Sequence, residues 1–288
     1  MTKQLNLFFE LTRLKRPIGY MLLFWPCAWG LTLAYDFSNS LNNYFFYLSL
    51  FFLGSVLMRS AGCIVNDIYD KEFDKKVKRT KNRPIASNKI SIRLAISYTI
   101  ILCSLAFLVL INFNNLTVIL ALCSMPLAFT YPLMKRFTYW PQLFLGITFN
   151  YGLILGWTSI LGEISIAPII LYFGAIFWTL GYDTIYGFQD IKDDEIIGVK
   201  STSIKFKNKP KNFVTTCYIF LILSILIVGI IMSYNYFFYI SLLMTATHLF
   251  FYQTKYFNSK DPISCLKVFK SNNMLGLIIL INILIGKI

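Results

Sequence analysis

Asn66-Asp67-Ile68-Tyr69-Asp70-Lys71-Glu72-Phe73-Asp74 closes a long apolar run and opens a strongly basic loop. A helical register puts Asn66, Asp70 and Asp74 at i, i+4 and i+8, close to one face. A second acidic stretch answers it far downstream: Asp183, then Asp190, Asp193, Asp194 and Glu195, with Asp190 and Asp194 again at i, i+4. Four acidic residues in 67–74 and four in 190–195 make eight of the chain's thirteen, a concentration that solubility does not explain. Oxygen ligands side by side suit a hard divalent cation, and Mg²⁺ commonly bridges one or two carboxylates to substrate phosphates. The two clusters are therefore expected to face each other across one site and hold a diphosphate through Mg²⁺.

The rest of the chain is membrane-like. It is 57% hydrophobic, with a mean hydropathy of +0.62 over 288 residues. That is too apolar for a soluble protein and predicts an all-α polytopic membrane protein. Nine spans are expected, at 17–35, 43–65, 91–111, 116–134, 141–160, 166–188, 213–232, 235–254 and 272–286. The bundle they form would surround a central cavity.

Charge follows the same plan. Four basic residues precede the first span, eight lie in 66–90, two in 135–140, six in 189–212 and four in 255–271. The loops after the first, third, fifth and seventh spans carry no Lys or Arg. The positive-inside rule then puts the N-terminus and every basic loop in the cytoplasm and the C-terminus in the periplasm. The bacterial inner membrane is the expected location, or the mitochondrial inner membrane in a eukaryote. The net charge of +14 reads as this topology signal plus attraction to anionic lipid heads of the bilayer. It is split among loops with no binding motif, which argues against nucleic acid, and nothing implies a protein partner. The first span is long and lacks a small-residue cleavage site, so no cleavable signal peptide is expected. Six cysteines form no CxxC pair and predict neither disulfide nor zinc. The single histidine, His248, excludes a His-based triad and is expected to pack or hydrogen-bond.

Individual residues sharpen the site. Residues 1–16 read as an interfacial amphipathic segment with Leu7, Phe8, Leu11 and Leu14 on its apolar face. Arg13 and Arg16 stand at the mouth of the first span, and Pro26 is a candidate kink. Arg59 is a charge inside an apolar run, about 10 Å deeper than Asn66 and on nearly the same face. In the loop 75–90, Arg79 and Arg83 have helical spacing and suit phosphate oxygens bidentately. Lys135 and Lys200 are further phosphate candidates, Lys135 sharing with Arg136 the plainer role of a membrane anchor. Asp183, Tyr186 and Asp190 form a polar stripe that continues into the membrane. The second, fourth and sixth spans end on one side, where their negative dipole ends favour bound cations. The last three spans carry little polar besides His248 and Asn282 and read as scaffold.

Asp-rich pairs with scattered Arg and Lys suit a diphosphate leaving group, and an apolar cavity below suits a long lipid tail and a carbocation. The motifs Asn66-Asp67-x-x-Asp70-x-x-x-Asp74 and Asp190-x-x-x-Asp194 resemble the two signatures of the UbiA superfamily of intramembrane prenyltransferases. The nine-span plan is similar too. Finer likeness is to the 4-hydroxybenzoate polyprenyltransferases of ubiquinone synthesis, in Arg13-Leu14-Lys15-Arg16-Pro17-Ile18-Gly19, Leu22-Leu23-Phe24-Trp25-Pro26, Met58-Arg59-Ser60-Ala61-Gly62-Cys63, Val77-Lys78-Arg79-Thr80-Lys81-Asn82-Arg83-Pro84 and Gly181-Tyr182-Asp183-Thr184-Ile185-Tyr186. The resemblance implies one domain over 1–288 with Asp-rich loops at 66–90 and 189–212. It implies Mg²⁺ on Asn66, Asp70, Asp74, Asp190 and Asp194. It implies polyprenyl diphosphate against Arg13, Arg79, Arg83, Lys135 and Lys200, and the carboxylate of 4-hydroxybenzoate on Arg59. Asp70, Asp190, Asp194 and Asp183 are then the catalytic carboxylates. Asp183, Asp190 and the released diphosphate are all candidates for removing the ring proton. A different ring acceptor, such as a haem vinyl group or a naphthoate, is an alternative that Arg59 and the 182–186 stretch argue against. A transporter would also place acids in a bundle, but rarely needs two Asp-rich loops flanked by phosphate-type arginines. A non-catalytic scaffold needs neither Arg59 nor Asp183.

Overall fold

The computed structural model describes residues 3–288, and every regular element among them is helical. In chain order the α-helices are α1 (Lys3–Thr12), α2 (Ile18–Ala34), α3 (Leu41–Tyr69), α4 (Lys71–Asp74), α5 (Ile92–Leu110), α6 (Asn115–Thr130), α7 (Met134–Phe137), α8 (Pro141–Asn150) and α9 (Gly152–Leu161). They continue with α10 (Ile166–Gly187), α11 (Ile191–Ile197), α12 (Thr202–Lys205), α13 (Pro210–Ile231), α14 (Tyr236–Ala246), α15 (Thr254–Tyr256) and α16 (Pro262–Gly286). Seven stretches are long and apolar enough to cross a membrane: α3, α5, α6 continued to Phe137, α8 with α9, α10, α13 and α16. The shorter apolar α2 and the helical stretch from α14 to α15 lie where the other two spans were expected.

Starts are set by capping. Ser91 Oγ accepts from the Leu94 N–H, Asn114 Oδ1 from Thr117, Asn235 Oδ1 from Phe237 and Asp261 Oδ1 from Ile263. The expected kink at Pro26 does not break α2, which runs through it as one helix. α16 begins ten residues before the expected span, because Lys267 and Lys270 lower hydropathy there without opposing helix. α1 docks its apolar face, with Leu11 fully buried and Leu7 and Phe8 beside it, on a core shared by α3 and α5.

The bundle is held by close helix pairs: α10 on α13 and α8, α2 on α9 and α16, α3 on α5. At the α2–α9 crossing a Cβ added at Gly30 would lie 1.9 Å from the Leu153 carbonyl oxygen, and one at Gly156 2.3 Å from that of Cys27. Neither neighbour is a flexible side-chain tip, so the backbones can approach this closely only with glycine. Gly30→Ala must push α2 and α9 apart, at a cost of about 1–3 kcal/mol. A lowered melting temperature in detergent, read by size-exclusion thermostability, checks this.

The last three spans are more polar inside than expected. Trp178 Nε1 donates to Asn272 Oδ1 at 2.7 Å, and Gln253 Nε2 donates to the same oxygen at 3.1 Å. The Tyr218 hydroxyl donates to Gln253 Oε1, and His248 Nδ1 lies 3.3 Å from Gln253 Nε2. Residues 247–253 form a π-helical turn that aims Gln253 inward. His248 is thus part of a hydrogen-bonded scaffold.

Candidate active site

α3 and α10 end at the same side of the bundle, and both acidic stretches sit where these helices stop. The expected uninterrupted helical register is broken. α3 ends at Tyr69 with Asp70 (φ −92°, ψ 3°) at its C-cap, and α10 ends at Gly187 with Asp190 (φ −116°, ψ 10°) preceding α11. Asp190 therefore lies past the helix that carries Asp183 and Tyr186. The i, i+4 spacing survives locally, since Asp70, Asp74 and Asp194 donate their N–H groups to the carbonyls of Asn66, Asp70 and Asp190.

The segment 75–90 folds as successive turns and sends its two arginines to different acids. Arg79 crosses to the second acidic stretch. Its Nε donates to both Asp190 carboxylate oxygens at 2.9 Å, its Nη2 also reaches Asp190, and its Nη1 donates to the Tyr186 hydroxyl at 3.2 Å. The Lys78 backbone N–H donates to Asp193 Oδ2 at 3.3 Å. Arg83 stays with the first stretch, its Nη1 donating to Asp67 Oδ1 at 3.0 Å and Asp74 Oδ2 at 2.8 Å. Asp67, 2% exposed, also accepts from Arg13 Nη2 at 2.5 Å. Arg13 sits in the left-handed region at φ +57°, a conformation that turns the chain from α1 into α2.

Lys135 and Arg136 divide two roles between them. Lys135 Nζ donates to Asp70 Oδ2, which also accepts from Asn66 Nδ2 at 2.9 Å. Arg136 Nη2 donates to the Tyr69 carbonyl at 2.7 Å and so caps α3. Lys200 is not brought to the acids. Its Nζ donates to the Phe137 carbonyl at 3.2 Å, and its N–H to the Lys135 carbonyl at 2.9 Å, so it fixes the backbone that presents Lys135.

Deeper in the bundle, the Arg59 guanidinium lies 5.2 Å from the Phe149 ring centroid, and its Nε is buried without a hydrogen-bond partner among the described residues. A Cβ at Gly19 would lie 2.9 Å from that Nε, so glycine leaves room for the guanidinium. Tyr131 packs edge-on against the same Phe149 ring, with centroids 6.3 Å apart. Tyr131, Phe149 and Gly19 were not singled out from sequence. Only Tyr131 carried a signal, a Tyr-Pro break inside an apolar span and four residues before Lys135.

Charge governs the mouth of the site. Burial pulls Arg79 down, but its hydrogen bond to Asp190 and the surrounding negative charge outweigh this and raise its pKa. Burial raises Asp74 despite Arg83. Asp194 is pushed up to about 6 by burial and then by the charge of Asp190. A carboxyl raised above its ordinary 3.8 favours the protonated folded state, so stability is lost as pH rises through the window between 3.8 and about 6. Asp194→Asn should therefore gain melting temperature relative to the wild type as pH rises from 4 to 7, without added metal. A pH-independent difference between the two proteins overturns this.

Among the described residues, no three Asp, Glu, His or Cys side chains converge on one point as a ready metal cage. Arg79, Lys135, Arg13 and Arg83 stand against the carboxylates instead. One atom breaks this pattern: Asp70 Oδ1 is buried and has no hydrogen-bond partner.

The chain matches the UbiA prenyltransferase family over residues 23–277. It is 40% identical over 287 residues to the mitochondrial 4-hydroxybenzoate polyprenyltransferase of Bos taurus, covering 99% of this chain and 76% of that protein. Its identity to the mitochondrial 4-hydroxybenzoate polyprenyltransferase of Arabidopsis thaliana is 41% over 285 residues, covering 96% and 68%. The fold is similar to the apo structure of a UbiA homolog from Aeropyrum pernix, with a TM-score of 0.72, 22% identity, and 93% and 97% of the two chains covered. It is also similar to a UbiA homolog from Archaeoglobus fulgidus bound to GPP and Mg²⁺, with a TM-score of 0.69, 17% identity, and 97% and 98% covered.

Proposed function

The chain belongs to the UbiA prenyltransferase family, and from that premise we propose that it prenylates 4-hydroxybenzoate in ubiquinone biosynthesis. The donor is a polyprenyl diphosphate. The bond forms at the ring carbon ortho to the hydroxyl and meta to the carboxylate, and diphosphate is released. The observation that carries this reading is the stacking of two chemistries in one bundle. A mouth of interlocked Asp, Arg and Lys lies above a deeper arginine whose Nε has no partner.

The donor set fits Mg²⁺. It is all oxygen, and the unpartnered buried Asp70 Oδ1 is an acceptor awaiting a cation. Asn66, Asp70, Asp74, Asp190 and Asp194 would hold the metal, which supplies neutralisation of the leaving diphosphate. Arg13, Arg79, Arg83 and Lys135 give hydrogen bonds to diphosphate oxygens, with Lys200 setting the Lys135 backbone. The allylic C–O bond breaks with its electron pair going to diphosphate. Ring π-electrons then form the new C–C bond to the allylic carbon, and loss of the ring proton restores aromaticity. Arg59 holds the benzoate carboxylate and so aims the ring. Asp183, the carboxylate within α10, is the one we assign to the proton. The apolar bundle excludes water, which would otherwise capture the cation.

The whole chain acts as one transmembrane domain in an inner membrane, with the mouth on the positive-inside face. Relatives in animals and plants are named mitochondrial, which favours the mitochondrial inner membrane, mouth to the matrix, in a eukaryotic cell. Reporter fusions within 66–90 and at the C-terminus should fall on opposite sides. Product analysis decides the activity: membranes with Mg²⁺, 4-hydroxybenzoate and prenyl diphosphates of several lengths should yield the 3-prenyl acid by mass spectrometry. No prenylated acid from any donor overturns the reading.

A further inference from the structure

Resting on the reading of the mouth as a diphosphate site, we propose that its carboxylates are held at rest by the site's own cations, and that metal and diphosphate displace these pairs together. Asp190 exchanges Arg79 for the metal, Asp70 exchanges Lys135 for the metal, and both freed cations turn to the diphosphate.

The geometry separates pairs that can exchange from pairs that cannot. The Arg79 and Lys135 side chains are 37% and 23% exposed, and each reaches across from another element to a carboxylate at a helix end. Both can swing without unpacking a helix. Asp67 differs. Its 2% exposure is close to the 4% of Asp70, but it lies within α3 and is shared by two cations, Arg13 from one side and Arg83 from the other. Removing either arginine would leave a buried carboxylate under-compensated, which is costly. Asp67 is therefore a positioning residue that fixes two guanidinium groups, and it does not exchange. Asp70 Oδ1, buried and without a hydrogen-bond partner among the described residues, is an oxygen that a bound cation would satisfy.

Charge explains why the exchange is concerted. Four cations stand among five carboxylates, Asp67, Asp70, Asp74, Asp190 and Asp194. Metal alone would face Arg79 and Lys135 with nothing to receive them. Diphosphate alone would add negative charge to carboxylates that had just lost their partners. Together each ligand neutralises what the other uncovers, and in a partly buried site this coupling is felt strongly. It must also be reciprocal: each ligand tightens the other by the same factor.

The test uses the full chain in nanodiscs, with Mn²⁺ as an EPR-visible stand-in for Mg²⁺ and inorganic diphosphate as the anion. Mn²⁺ bound to protein is titrated with and without diphosphate, after subtraction of the complex the two form in solution. The reverse titration uses radiolabelled diphosphate. Affinity of each should rise about tenfold or more in the presence of the other. Arg79→Gln should bind Mn²⁺ alone about tenfold more tightly than wild type, because Asp190 is released, while Arg79→Lys, which keeps the charge, should not. Gel filtration shows that each variant is folded, and Lys135→Gln gives a second, independent reading at Asp70. If Mn²⁺ and diphosphate bind wild type independently and Arg79→Gln leaves Mn²⁺ affinity unchanged, the exchange is overturned while the site stands. If neither binds wild type at all, the diphosphate site and the exchange fall together.

Discussion

Asp70→Ala and Asp190→Ala each lower prenyl-transfer turnover by at least about 10³-fold. Both carboxylates sit where a helix ends at the mouth, and each is met by a cation from another element: Lys135 for Asp70, Arg79 for Asp190. Truncation removes a metal ligand and also leaves a partly buried cation unmatched beside the diphosphate. Glu72→Ala is the internal contrast. Its side chain is 74% exposed and, among the described residues, pairs only with Lys75, so turnover should stay within about twofold of wild type. EDTA should silence the wild type and added Mg²⁺ restore it. Steady-state turnover of purified, monodisperse proteins is the measurement. Full activity in EDTA, or an Asp190→Ala enzyme near wild-type rate, removes the two-cluster metal site.

The second large effect is at Arg59. Arg59→Ala should raise the Michaelis constant for 4-hydroxybenzoate at least tens-fold, since truncating one side of a buried charge pair costs about 2–5 kcal/mol. The guanidinium is set against Phe149 beside Gly19, and its Nε has no hydrogen-bond partner among the described residues. A neutral phenol lacking the carboxylate should lose far less, because the missing partner is a charge. Arg79→Ala and Arg83→Ala should act differently, raising the constant for the prenyl diphosphate. If Arg59→Ala alters only the diphosphate constant, Arg59 belongs to the mouth. If it alters neither, its role is packing.

Much of this molecule is legible in one dimension. Apolar run length and the alternation of basic with uncharged loops are local properties, and the bilayer reads them locally. They suffice for an all-α polytopic bundle with both acidic stretches on one face. The Asp spacing likewise marks Asp70, Asp74, Asp190 and Asp194, because i, i+4 proximity needs no tertiary contact. Even Arg59 and Asp183 stand out, since a charge inside an apolar run is costly unless it is used.

Pairing was not legible, because it depends on where loops fold back. Arg79 and Arg83 look equivalent in sequence, yet one crosses to Asp190 and the other returns to Asp67 and Asp74. Lys135 and Arg136 are neighbours, and only the end of α7 decides which meets Asp70 and which caps α3. Lys200 looked like a phosphate ligand, but the turn before α12 delivers it to the Phe137 carbonyl. The Asn272–Gln253 network joins residues from spans that each look almost wholly apolar, so no single stretch announces it. Sequence by itself determined the bundle, the sharing of one face by the two acidic stretches and the chemical kinds of residue there. Tertiary structure alone decided which charges neutralise which, because a salt bridge depends on distances of a few ångströms between segments that the chain order leaves free.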